Sequence, residues 1–231
     1  MIRNQWTFVF TIVLITVHVQ GRFYNAMEDI RLIKAYLSEQ VNRPTNHAKV
    51  ARNLVHNSDW AAVGTISVDS KIAGFPMVNV ISVADKGGVI YFMLVDLDFT
   101  GQDWRKTNNV TFLFTEDVNG DCRAHHKDSM EPTCARAMIS GNVMPIDKNE
   151  KEFKPAIDLF LKRHPAGVHW IDSHDFYICK LNIGNIYVLD FYGGPNLVSV
   201  EDYYKASLYE EEPRETIKVP LGGINITLEQ M

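Results

Sequence analysis

Two groups of side chains in this sequence have the types and spacing to do chemistry. Cys122 and Cys134 stand twelve residues apart around a polar stretch that also holds His125 and His126. One reading is a disulfide closing the loop, worth ~3 kcal/mol through chain entropy. The other is a metal site made of all four residues, whose donors suit zinc but whose order and spacing match no common structural pattern. The second group is His164, His169 and His174, which recur every five residues. That interval splays them around a helix, and Pro165 with Gly167 excludes a continuous one, so structural roles outweigh a metal triad. Cys179 lies in the apolar run 176–181, where a buried thiol acts as a small hydrophobe. A nucleophilic thiol would need a base beside it, and His174 is near only along the chain. There is no nucleophile elbow and no orderable Ser-His-Asp grouping, so no catalytic residue and no metal ligand is assigned.

The N-terminus chooses between these readings. Arg3, an apolar run from Trp6 to Val19, and small residues at Val19 and Gly21 form the three zones of a secretory signal peptide, residues 1–21. The run is too short for a membrane span, which needs roughly twenty apolar residues. In an oxidising lumen the Cys122–Cys134 disulfide is the simpler reading. The same route gives meaning to two N-glycosylation tripeptides, Asn109-Val-Thr111 and Asn225-Ile-Thr227. The 231 residues are 46% apolar and 11% aromatic, which excludes wholesale disorder. A net charge of −5 argues against holding a nucleic acid by its phosphates.

The elements that must position these residues follow from periodicity. Apolar residues at helical spacing predict an amphipathic helix over 22–43, inside an N-terminal extension at 22–46. A second helix is expected from His47 to about Asn57, capped by Thr45 or Asn46. Strand patterns follow over 60–68, 77–83, 89–95, 110–114 and 135–144, the last with Gly141 as a bulge. Asp147 and Glu150 resemble a capping box, and Pro155 should kink or restart the helix that follows. Residues 176–181 and 186–191 read as two strands joined by a turn at 182–185, with a short helix at 200–204. Consecutive short strands favour a mainly β barrel with flanking helices, one domain over 47–205 followed by a flexible tail at 206–231.

Ala48 to Arg52 with Ser58-Asp-Trp60, Gly64-Thr-Ile-Ser67, the spaced cysteine pair and Ile139-Ser-Gly141 come in an order that resembles the CREG family of secreted glycoproteins. Arg163-His-Pro165, Ser173-His174, Lys180-Leu-Asn-Ile183, Ile186 to Asp190, Gly193-Gly-Pro195 and Glu201-Asp-Tyr-Tyr204 continue the match. The resemblance implies a six-stranded split barrel of the FMN-binding type, assembled as a homodimer and resident outside the cell or in endosomes and lysosomes. It also implies links to growth restraint and differentiation, and traffic by the mannose-6-phosphate receptor through N-glycans, here those at Asn109 and Asn225. Direct DNA binding is not expected of a secreted acidic chain.

The wider relatives of that family are flavin enzymes, so the cofactor is the point to test. A flavin phosphate wants basic residues, which the resemblance places on the second strand and after the third. Here the second strand, 78–82, carries none, and the later segment opens with Asp98 and Asp103 before offering Arg105 and Lys106. That pair reads as a solvated helix end. The sequence therefore predicts a non-enzymatic binding protein without FMN, and a flavin-dependent oxidoreductase as the alternative. Trp60, Trp104 and Trp170 are candidate core or interface anchors.

Overall fold

The computed structural model describes residues 46–208, and the backbone of 216–221 and 224–229. The leader at 1–21 and the helix expected at 22–43 lie outside the described residues. Asn46 caps α1 (His47–Asn57), its side chain accepting the Lys49 N–H at 3.0 Å. Ala48, Ala51, Leu54 and Val55 form the buried face of that helix. Strands β1 (Trp60–Ile66), β2 (Pro76–Lys86) and β3 (Val89–Leu94) come next. Helix α2 (Phe99–Lys106) then leads into β4 (Val110–Thr115). A short 3-10 turn and α3 (Asp121–Ala124) carry the chain to β5 (Arg136–Pro145). Beyond it lie α4 (Phe153–Arg163), α5 (Gly167–His174), β6 (Tyr177–Leu189), β7 (Asn196–Val198) and α6 (Val200–Lys205).

The strands pair antiparallel in the order β3-β2-β1-β4-β5-β6-β7, and β3 also pairs with β6. That last pairing, from Tyr91 opposite Lys180 to Leu94 opposite Tyr177, closes six strands into a barrel. Alternation along each strand sends one set of side chains inward. Phe92, Phe112, Phe114, Ile139, Ile186 and Val188 are buried in this core, the Phe92 and Phe112 rings 5.0 Å apart. A second apolar layer lies outside the barrel, where Tyr91, Met93 and Ile178 pack under Ala156 and Phe160 of α4.

Several local expectations change. Residues 176–191 do not form two strands: β6 runs unbroken from 177 to 189. Ser140 opposes Asn185 while Gly141 opposes Ile183, so the extra residue is Gly184 on β6, facing Gly141 rather than supplied by it. A bulge bends its strand, and this one separates the half of β6 that pairs with β3 from the half that pairs with β7. The continuous helix that Pro165 and Gly167 were expected to exclude is indeed absent: they separate α4 from α5, a short helix that was not expected. Glu150 does accept the Asp147 N–H, at 2.9 Å, but the contact closes a turn ahead of α4. Pro155 sits in the first turn of α4, where N–H groups have no helical partner, so the helix neither kinks nor restarts there. Within the stretch expected as a tail, β8 (Thr216–Leu221) and β9 (Ile224–Glu229) pair as a hairpin, in a unit separate from 46–210.

Candidate functional site

Cys122 and Cys134 are joined, with an S–S distance of 1.98 Å and Cα atoms 5.7 Å apart. Glu116 is the residue whose carboxylate approaches both sulfurs, and no histidine joins that group among the described residues. His125 instead donates from Nδ1 to the Asp121 carbonyl at 2.7 Å. The loop is fastened from β5, where Arg136 donates to the carbonyls of Ser129 and Met130 at 3.0 Å each. Cys179 is fully buried, and burial pushes its thiol pKa well up. His164 donates from Nε2 to the Val83 carbonyl at 2.8 Å and packs on Phe160, while His169 and His174 are exposed. The three histidines do not converge.

The structure brings together the two segments that the family resemblance made relevant. Asn79 to Ser82 of β2, the end of β3 and Asp98 border a groove of about 340 Å³. Phe160 from α4, Trp170 from α5 and Phe176 complete its wall. Asp98 occupies the N-cap position of α2, yet its side chain makes no cap hydrogen bond. It accepts instead from Asn79 Nδ2, which also reaches Thr100 Oγ1 at 3.0 Å. Among the described residues, no lysine or arginine borders the groove. Arg105 is engaged elsewhere, donating to Asp96 at 2.9 Å with its guanidinium over the Trp104 and Tyr177 rings. That arginine holds the Asp96 carboxyl below the usual carboxylate range, and burial pushes the Tyr177 hydroxyl up to about 12. A phosphate dianion placed here would meet a carboxylate where it needs a cation.

A second feature covers the outside of the sheet. Val80, Ala62, Leu113, Met138, Tyr187 and Leu197 are cross-strand neighbours in unbroken succession from β2 to β7. Val80 is 60% exposed and Leu197 67% exposed, so this apolar row is on the surface. The adjoining row, Val78, Gly64, Thr111, Ser140 and Asn185, is also free of charge. Asn109 is exposed just ahead of β4, and Thr111 of the same tripeptide shares a hydrogen bond with Ser140 at 2.9 Å. Asn225 lies in β9 opposite Pro220, its side chain outside the described residues. Trp104 is buried and donates to the Tyr177 hydroxyl at 2.9 Å, Trp60 is exposed, and Trp170 faces the groove. Sequence reasoning missed Asn79 and the groove role of Trp170. The one signal for Asp98 was an acid at a helix start, which ordinarily means a cap.

A closed antiparallel barrel whose longest strand is bent by a bulge, flanked by helices, defines a split-barrel protein. Its sequence matches the family described as CREG, beta-barrel over residues 42–205, and the chain belongs to that family. Human protein CREG1 is 36% identical over 166 residues, covering 70% of this chain and 74% of that protein. Mouse protein CREG2 is 28% identical over 175 residues, covering 74% of this chain and 60% of that protein. Among solved structures, a heme binding protein from Mycobacterium smegmatis matches with a TM-score of 0.58 at 18% identity. The match covers 72% of this chain but 62% of that one, so this chain spans less than two thirds of its length. ChuZ from Campylobacter jejuni matches with a TM-score of 0.57 at 14% identity, covering 78% and 72%. Identities this low establish a shared fold.

Proposed function

We propose that this chain is a non-enzymatic, secreted or endolysosomal glycoprotein that works as a homodimer through protein and glycan contacts and carries no flavin. The observation that carries this reading is Asp98, an acid with no basic residue beside it in the groove between β2 and the segment after β3. A flavin phosphate has about two negative charges to neutralise and finds no cation there. Titrating the purified protein with FMN tests the reading. No saturable quenching of flavin fluorescence at micromolar concentrations is the expected result, and tight one-to-one binding overturns it in favour of an oxidoreductase.

The uncharged outer rows support the homodimer. Interface cores are depleted of charge, and a two-fold contact needs a self-complementary patch, which an apolar row offers to its own copy. Signal-peptide zoning at 1–21 supports secretion. Among the described residues, no helix is long and apolar enough to cross a membrane. N-glycans at Asn109 and Asn225 are the elements a mannose-6-phosphate receptor would read. Exposure of Asn109 supports its modification.

A further inference from the structure

We propose that the groove bordered by Asp98 and Trp170 is a binding site for a small aromatic or apolar cation of the quaternary-ammonium type. The wall is aromatic: Trp170 stands 6.4 Å from Phe160 and 5.9 Å from Phe176, centroid to centroid. Aromatic faces carry negative potential and attract a desolvated cation, with Trp the strongest. At about 340 Å³ the space suits a compact ligand rather than a peptide.

The rim supplies the matching charge. Asp98 sits at the helix start but makes no cap hydrogen bond to it. Among the described residues it forms no ion pair, in contrast to the neighbouring Asp96, which is held by Arg105. Asn79 fixes the position of the Asp98 carboxylate by donating to it, and Asn79 is fixed in turn because its Oδ1 accepts the Val80 N–H at 2.8 Å. An immobilised carboxylate beside an apolar aromatic wall is complementary to a cation that cannot donate hydrogen bonds. It is repulsive to phosphates and carboxylates. Neutral apolar molecules would use the wall and leave the acid unused.

The site goes beyond the flavin-free reading and can fail without it. The probe is phenyltrimethylammonium, with benzyl alcohol as the neutral comparison and benzoate as the anionic one. Labelling the full chain with 5-fluorotryptophan separates Trp170 from Trp6, Trp60 and Trp104 by fluorine NMR. The expected result is a saturable shift of the Trp170 resonance with phenyltrimethylammonium and none with benzoate. Benzyl alcohol should bind at least about 5-fold more weakly, the range of a partly desolvated cation–aromatic contact. Asp98→Asn keeps the rim's shape and should weaken the cation about 5- to 30-fold, leaving benzyl alcohol unaffected. Trp170→Leu, which removes the reporting resonance, should weaken both when binding is read by titration calorimetry, with thermal melts confirming that each variant is folded. No shift of Trp170, or equal binding of cation and alcohol unchanged by Asp98→Asn, overturns the proposal. Bound flavin in the same preparation would overturn the flavin-free reading instead.

Discussion

Glu152 shows how a single residue sets part of the fold's pH dependence. Lys180 donates to one of its oxygens and Tyr91 to the other, the latter at 2.8 Å. These donors hold the Glu152 carboxyl below its usual range, Lys180 having the larger effect. A carboxyl depressed in the folded state stabilises above its unfolded pKa and loses that contribution as pH falls through the folded one. Glu152→Gln should therefore cost about 1 kcal/mol at neutral pH. Most of that cost should persist at endosomal pH, roughly 5 to 6, and disappear in stronger acid. Thermal melts at stepped pH check the sign and the window. At Gly141 the limit is space: an added Cβ would lie 2.2 Å from the Asn182 carbonyl oxygen. Gly141→Ala should cost on the order of 1–3 kcal/mol, read from urea midpoints, because backbone must move to admit it. Spacing and cysteine content made Gly141 and the cysteine loop visible in the sequence. The place of Gly184 was hidden, because glycine beside asparagine has the local signature of a turn and only the pairing with β5 makes it a bulge.

At the scale of elements, one buried carboxylate joins three of them. Asp85 on β2 meets His56 of α1 at 2.9 Å, Arg52 of α1 at 3.8 Å and Arg163 of α4 at 3.7 Å. Arg52 is buried, and its Nη1 has no hydrogen-bond partner, so Asp85 is what offsets its charge. Removing one member of a buried ion pair leaves an uncompensated charge. Asp85→Asn should cost about 3–5 kcal/mol in chemical denaturation and loosen α1, seen as faster amide exchange over 47–57. Helix α1 was legible because Asn46 and one apolar face announce it locally. Helix α5 was not, since Pro165 and Gly167 read as breakers although they only end one helix and begin another. Closure of β3 on β6 was carried by the family resemblance. It joins residues more than eighty positions apart and leaves no local pattern.

For the whole molecule, two surfaces of the barrel meet. The uncharged rows from Val80 to Leu197 form the face assigned to a second copy, and Val80 also borders the groove. Sedimentation velocity at micromolar concentration should find a dimer, and Leu113→Lys should give a folded monomer, because it places an unpaired charge in the centre of the contact. Alternation along β4 puts Asn109 on the same side as Thr111 and Leu113, roughly 7 Å beyond Thr111 at the edge of the uncharged rows and roughly 14 Å from Leu113 at their centre. The dimer contact should therefore stop short of the Asn109 glycan, and enzymatic deglycosylation should leave the sedimentation coefficient that of a dimer. The groove itself was only half legible: the sequence showed that bases were missing from the second strand, but not that Trp170 and Phe160 would wall the space opposite. The most direct measurement is the visible absorption spectrum of the protein purified from the secretory pathway of its own cells, read before and after denaturation. No flavin band and no released flavin are expected; stoichiometric FMN in that preparation would contradict the flavin-free reading.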